Sequence, residues 1–218
     1  MAIVTISPAI LSQNPTEYKQ TVTDFYAVKG IKRAHIDVSD GTLTPNRTIA
    51  EQAVWWPRGW SIDIHMMTAT PSQHLAMLIK LHPDMVILHA EANEDLLPIF
   101  DKLKQNGIKT GVAIVKSVFP GSIKAILAAA DHALIFSGNL GKQGGKADLL
   151  LLEKVALIKE INPAIEVGWD GGATLENIHY IAQAGCTVIN VGSAFARAHD
   201  KQKLFEDMNK ATESQDPI

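Results

Sequence analysis

The sequence predicts a single (β/α)8 barrel, a TIM-type barrel of parallel strands, over residues 1–211. Eight short apolar runs alternate along the chain with longer segments of helical period. Such alternation is typical of a parallel sheet with right-handed crossovers. Eight strands close this barrel, and 218 residues lies near the lower end of its usual size. A doubly wound open sheet is the competing architecture.

The predicted strands are rich in Ile and Val, and several are nearly continuous apolar runs. Strands that are covered on both faces have this character, because neither face meets water. The runs are residues 3–6, 34–38, 61–65, 85–89, 110–114, 133–136, 165–169 and 188–191.

Helical segments fill most of the intervals between these strands. Leu96, Ile99, Phe100 and Leu103 repeat at a helical spacing, and two later intervals show the same period. Gly107 follows the first of these helices, as a glycine after a helix often does. The interval 48–59 is the least helical connection, and residues 212–218 are expected to form a disordered tail.

Composition narrows the classes of protein to which the chain can belong. The 20 Lys and Arg residues against 23 Asp and Glu residues give a net charge of −3, without a basic run, so we expect no nucleic-acid partner. No apolar run is long enough to span a membrane. Cys186 is the single cysteine, which excludes an intrachain disulfide. A cytoplasmic protein, monomeric or homo-oligomeric, is the expectation.

Polar residues at the ends of the predicted strands are the candidates for chemistry, because ligands bind there in both architectures. His35 and Asp37 are two residues apart on the second strand, so both side chains point to one side. His65 ends the third strand and Asp170 follows the seventh. Two histidines and two aspartates at one end of a barrel are a plausible divalent-metal site.

Glycine-rich loops follow the last three strands and are candidates for binding an oxyanion such as phosphate. They contain Gly171 and Gly172, then Gly192 and Ser193, and the segment 138–146, which includes Gly144 and Gly145. The loops after strands seven and eight often form a phosphate site in this fold. Taken singly, each glycine pair is equally consistent with an ordinary turn.

Together these motifs resemble the ribulose-phosphate 3-epimerase family of (β/α)8 barrels, from the early ISPAILS segment to about Arg197. The matching segments, in order, are HIDVSDG from His35, DIHMM from Asp63, HAEA from His89, DGG from Asp170 and GSA from Gly192. The resemblance covers nearly the whole chain, and the set of motifs is specific in order and spacing.

The resemblance implies a homo-oligomeric, cytoplasmic isomerase of the pentose phosphate pathway in carbohydrate metabolism. It implies that His35, Asp37, His65 and Asp170 bind one divalent ion (Zn, Fe, Mn or Co), and that Asp37 and Asp170 are the acid/base pair. The substrate is expected to be a ketose phosphate, D-ribulose 5-phosphate, which is converted to D-xylulose 5-phosphate through an ene-diolate. Substrate and phosphate contacts are carried over to His65, Gly144, Gly145, Gly171, Gly172, Gly192 and Ser193.

The chain departs from the family pattern around the substrate. Ala9 replaces a usual serine, Ser39 replaces a usual methionine, and the loop 138–146 is one residue longer and lacks an aromatic. An epimerase for another pentulose or hexulose phosphate, or a non-catalytic homologue that binds sugar phosphate and metal, are therefore alternatives. A sugar-phosphate decarboxylase is disfavoured, because Ser39 and Thr42 stand where its motif needs Lys and Asp.

Overall fold

The protein is a closed barrel of parallel strands surrounded by helices, as the sequence predicts. A computed structural model describes residues 3–142 and 144–213. Within these residues, eight strands pair in the order of the chain and β1 closes the ring against β8. The strands are β1 (Thr5–Ile10), β2 (Arg33–Ser39), β3 (Ser61–Met67), β4 (Met85–His89), β5 (Lys109–Ile114), β6 (His132–Phe136), β7 (Glu166–Asp170) and β8 (Val188–Val191).

Helices fill the intervals between most strands. They are α1 (Pro15–Tyr26), α2 (Leu75–Leu81), α3 (Leu97–Gln105), α4 (Lys124–Ala129), α5 (Glu153–Ile161), α6 (Ile178–Gln183), α7 (Ser193–Arg197) and α8 (Lys201–Glu213). Short 3-10 helices occur at Glu51–Ala53, Pro71–Gln73, Pro120–Ile123 and Leu149–Leu152. None of the helices in the described part of the chain has the length and apolar character needed to cross a membrane.

Two differences from the predicted boundaries matter for the interpretation, and the other strands begin and end within two residues of the predicted positions. β1 runs from Thr5 to Ile10, rather than over residues 3–6, and so passes through Pro8, which pairs in register with Val191 of β8. A proline lacks the N–H that a central strand uses, which is why the pattern indicated an earlier end. At the other terminus α8 continues to Glu213, so residues 212–213 of the predicted tail are helical. The rest of that tail, 214–218, lies outside the described residues.

The apolar core lies mainly between the barrel and its helices. Alternate strand residues such as Ile36, Ile64 and Val112 face outwards and pack with helix residues such as Phe100 and Ile158. The barrel interior holds a much smaller apolar cluster, of Met85, Ile87, Ala113 and Leu134. This cluster comes from β4 to β6, so the interior is apolar on one side only.

The other side of the interior is lined by polar side chains that are almost fully buried. These include Ser7, His35, Asp37, Asp63, His65, Asp170 and Asn190. Burying so many polar groups is costly unless they are paired. Their pairing separates them into a network at the amino-terminal end of the barrel and a cluster at the carboxyl-terminal end.

An ion-pair network closes the amino-terminal end. The Arg33 guanidinium donates two hydrogen bonds to Glu166, at 2.9 and 2.8 Å, and one to Asp63 at 2.7 Å. His132 Nδ1 lies 2.8 Å from Glu166 Oε2. Burial raises the pKa of Glu166, but the contacts with His132 and Arg33 outweigh it and hold that pKa well below its usual range. Strands β2, β3, β6 and β7 are thereby tied together.

We expect Glu166→Gln to lower the free energy of unfolding at pH 7 by about 1–2 kcal/mol, a figure discounted because this carboxylate is partly exposed. Because folding lowers the pKa of Glu166, the wild type should have its full extra free energy of unfolding at pH values above the unfolded-state pKa, about 4.3. This extra stability should shrink as the pH falls below that pKa. Urea unfolding at a series of pH values measures this difference. Glu160→Gln, at an exposed position of α5, is the control and should change the free energy of unfolding little. A wild-type advantage independent of pH would contradict the assignment.

Candidate active site

Four side chains from three strands meet at the carboxyl-terminal end of the barrel. His35 and Asp37 come from β2, His65 from β3 and Asp170 from the last position of β7. Asp37 pairs in register with His65, which places these two residues side by side on neighbouring strands. The alternation of side chains along β2 turns His35 and Asp37 to the same interior face. The sequence prediction that these four converge is confirmed.

The spacing of the four side chains is that of a metal site. One nitrogen or oxygen from each lies within 4.8 Å of the others. Asp37 Oδ1 is 2.8 Å from His65 Nδ1 and 3.4 Å from His35 Nε2. Asp170 Oδ2 is 3.8 Å from His35 Nε2 and 4.0 Å from His65 Nδ1. Tetrahedral ligands about 2.1 Å from a zinc ion are roughly 3.4 Å apart, so the observed range brackets this geometry.

An unpaired nitrogen supports the fit. His35 is completely buried, yet its Nε2 has no hydrogen-bond partner among the described residues. This nitrogen faces both aspartates, and a bound ion is one explanation of an unpaired buried polar atom. A donor set of two imidazole nitrogens and two carboxylate oxygens suits Zn, Fe, Mn or Co. The residues present therefore fit a divalent metal ion.

The second nitrogen of each histidine has its own protein partner. Asn190 of β8 lies with its Nδ2 3.1 Å from His35 Nδ1. His89 of β4 lies with its Nε2 2.8 Å from His65 Nε2. Phe136 packs against the rings of His65 and His89, at centroid distances of 5.7 and 6.2 Å. These contacts fix the orientation of both rings.

The two carboxyl groups are in different electrostatic environments when no metal is bound. Burial raises the pKa of Asp37, but His35 and His65 outweigh it and hold this pKa well below its usual range. Burial and the nearby charge of Asp37 raise the pKa of Asp170 to about 7, against the opposing effect of His35. Burial lowers the pKa of His65, whereas the aspartates raise that of His35 despite its burial. Environments that separate two carboxyl groups in this way are typical of acid/base sites.

A pocket opens above these carboxylates. Asp37 and Asp170 lie in its wall, together with apolar side chains from Leu11, Met67 and Phe136. Convergent polar groups beside apolar side chains in one concave site are typical of small-molecule pockets. A ligand in this pocket would lie directly over the carboxylate pair.

Two glycines allow the loop after β7 to pack against the loop after β6. Gly171 and Gly172 have φ values of +110° and +69°. A Cβ at Gly171 would collide with the backbone of Gly138, and one at Gly172 with the backbone of Ala147. Both positions therefore need glycine for conformation and for space. The packing of these two loops builds one side of the pocket.

The structure places most of the predicted phosphate residues around this pocket. Those that line it are Gly144, Gly171, Gly172, Gly192 and Ser193. Gly145 is exposed and does not line it. Asn139 and Lys142 also line it, from the predicted loop 138–146, whereas the lining residue Asn190 was not predicted to contact a ligand. Asn190 belongs to none of the motifs. The one feature of the sequence that indicates a role for it is that it is a polar residue on the inward face of a buried strand.

Comparison with known proteins agrees with this geometry. The family model described as the ribulose-phosphate 3 epimerase family matches residues 5–196. A ribulose-phosphate 3-epimerase of Helicobacter pylori strain J99 is 27% identical over 210 residues, covering 93% of this chain and 95% of that protein. The chloroplastic ribulose-5-phosphate-3-epimerase of Arabidopsis thaliana is 32% identical over 209 residues, which are 90% of this chain and 73% of that protein.

Similar solved structures share the fold. The 3-hexulose-6-phosphate synthase of Salmonella typhimurium has a TM-score of 0.70 at 17% identity, and the alignment covers 95% of this chain and 98% of that chain. A tryptophan synthase structure from Mycobacterium tuberculosis has a TM-score of 0.71 at 13% identity, over 96% of this chain and 92% of that chain. Because the family model covers most of the barrel, the chain belongs to the ribulose-phosphate 3-epimerase family of isomerases.

Proposed function

We propose that this protein is a metal-dependent epimerase that inverts C3 of a ketose phosphate, converting D-ribulose 5-phosphate to D-xylulose 5-phosphate. One observation carries the proposal: Asp37 and Asp170 are both buried and face one pocket from strands β2 and β7. These strands are separated in the ring by β1 and β8. The two carboxyl groups therefore approach a bound ligand from different directions.

Inversion at a carbon next to a carbonyl needs two proton-transfer groups, one for each face. In the forward direction one aspartate removes the C3 proton as a base, and the other returns a proton to the opposite face as an acid. In the reverse direction their roles exchange. His35, Asp37, His65 and Asp170 would hold a divalent ion, which would supply Lewis-acid stabilisation of the negative charge that develops as the C3 proton leaves.

The glycine loops position the substrate through its phosphate. Gly171, Gly172, Gly192 and Ser193 lie in the same pocket as the aspartates, so a phosphate bound there places the carbon chain over the carboxyl pair. Binding energy from this remote group fixes C3 between the two carboxyl groups. The apolar side chains of Met67 and Phe136 keep water away from the reacting carbon.

The substrate assignment rests on the pentulose phosphates named for the relatives. Ala9 lines the pocket with a methyl group, and Lys142 lines it from the lengthened loop. These two residues make another pentulose or a hexulose phosphate the alternative substrate. A role in the pentose phosphate pathway, a cytoplasmic location and a homo-oligomer stay predictions from the sequence.

The test is to incubate metal-loaded protein with a series of ketose phosphates and to follow epimerisation at C3 by proton NMR. We expect conversion of D-ribulose 5-phosphate, lost when a chelator removes the metal and restored when the metal is returned. Conversion of a six-carbon ketose phosphate alone would change the substrate but keep the reaction. Protein that binds metal but converts none of the compounds would contradict the proposal and identify a non-catalytic homologue.

A further inference from the structure

A row of polar side chains, most of them buried, extends from the candidate metal site to a second, neighbouring cavity. It begins with His65, whose Nδ1 faces Asp37 at 2.8 Å. Its Nε2 is 2.8 Å from His89 Nε2, and His89 Nδ1 is 3.5 Å from Glu91 Oε2. Glu91 lies in the wall of the second cavity, and its side chain is 28% exposed. The row therefore joins a metal-site histidine to a partly hydrated carboxylate.

The contact between the two histidines constrains where their protons lie. Two imidazole nitrogens 2.8 Å apart share one proton, with one nitrogen as donor and the other as acceptor. A neutral imidazole that binds a metal through Nδ1 carries its proton on Nε2. His65 bound in this way therefore donates from Nε2 to His89 Nε2.

The same reasoning extends to Glu91. Because His89 accepts at Nε2, its own proton is on Nδ1, which faces the Glu91 carboxylate. His89 Nδ1 and Glu91 Oε2 are both buried and have no hydrogen-bond partner within the described parts of the chain. They face each other at a distance slightly beyond a hydrogen bond, and a small side-chain rotation closes it. The nitrogen that carries the proton in each histidine is then fixed by the residue that accepts the hydrogen bond.

His89 interrupts an apolar face of β4. The inward residues before it on β4 are Met85 and Ile87, both in the apolar cluster of the interior. A leucine at position 89 would continue this apolar face, whereas a fully buried imidazole needs partners to offset the loss of hydration. Its ring stacks on that of His65, with centroids 4.9 Å apart and planes 25° apart. Its polar contacts all lead along the row.

We propose that His89 and Glu91 are positioning residues for metal binding, and that they keep the proton of His65 on Nε2 so that Nδ1 is free for the metal. This inference rests on the metal site of the proposed function. Partners of this kind raise the basicity of a ligating histidine and hold its ring, and their loss typically weakens metal binding 10- to 100-fold.

The test measures zinc dissociation constants by competition with a chromophoric chelator. We expect His89→Leu to weaken zinc binding 10- to 100-fold. His89→Gln should recover most of this loss, because the glutamine side-chain oxygen accepts the proton of His65 Nε2. Glu91→Gln should have a smaller effect in the same direction. Ile87→Leu, on the same inward face of β4, is the matched control and should bind zinc as the wild type does.

A second readout is independent of affinity and of activity. Nitrogen-15 NMR of the zinc-loaded wild type should show His65 protonated at Nε2 and His89 protonated at Nδ1. Equal zinc affinity in the wild type and His89→Leu, or a His65 proton on the other nitrogen, would overturn the inference while leaving the metal site intact. A wild type that binds no zinc would overturn the metal site and the inference together.

Discussion

Asp37→Asn is expected to reduce the rate of C3 epimerisation by about 10⁴-fold or more at saturating metal. An amide in this position neither removes a proton nor bears the charge that the histidines and the metal require, so acid/base catalysis and ligation are both impaired. The NMR assay of ketose-phosphate conversion measures the rate. Zinc titration in parallel separates weaker metal binding from slower proton transfer.

The control for this variant is Asp63→Asn. Asp63 is a buried aspartate on the adjacent strand, but it pairs with Arg33 near the amino-terminal end of the barrel rather than with the carboxyl-terminal cluster. We expect it to lower stability and to leave the rate per folded molecule close to that of the wild type. Substantial turnover in folded, metal-loaded Asp37→Asn would contradict the assignment of Asp37.

Gly172→Ala is expected to raise the KM for the ketose phosphate about 10- to 100-fold, with a smaller effect on kcat. The new Cβ would collide with the backbone of Ala147, so the loops after β6 and β7 must separate. Backbone groups that meet a phosphate then lose hydrogen bonds worth about 1.5–3 kcal/mol each. Steady-state kinetics, with inorganic phosphate as a competitive inhibitor, measure the loss.

Gly107→Ala separates this effect from backbone strain alone. Gly107 has a φ of +74°, close to the +69° of Gly172, but no described atom lies within 4 Å of the point that a Cβ would occupy there. It follows α3, away from the carboxyl-terminal pocket. We expect a cost of about 1 kcal/mol in stability and an unchanged KM. An equal rise in KM for both variants would refute a local role for Gly172.

Strand periodicity is the reason that the core of the site was predictable from sequence. His35 and Asp37 are two positions apart on one strand, and parallel strands end at one edge, so their meeting with His65 and Asp170 follows from the barrel. The sequence pattern does not show which residue pairs with the second nitrogen of each histidine, whereas the structure does. Asn190 and His35 are 155 residues apart, and their contact depends on closure of the ring between β8, β1 and β2.

Loop geometry was predicted less well than strand geometry. Gly144 and Gly145 are adjacent, with φ values of +92° and +124°, yet only the first lines the pocket. A glycine-rich segment permits many backbone paths, so sequence alone does not determine which amides face a ligand. Pro8 caused a different error, in a strand. Proline usually interrupts a strand, but Pro8 lies within β1.

The most direct measurement follows deuterium at C3 during the first turnovers of D-ribulose 5-phosphate in D₂O. If Asp37 and Asp170 act on opposite faces, the acid that protonates the product has already exchanged with solvent. New product should therefore carry deuterium at C3, while unreacted substrate retains hydrogen. Product that retains the substrate's own hydrogen would show that one group moves the proton between faces, and would contradict the two-aspartate account.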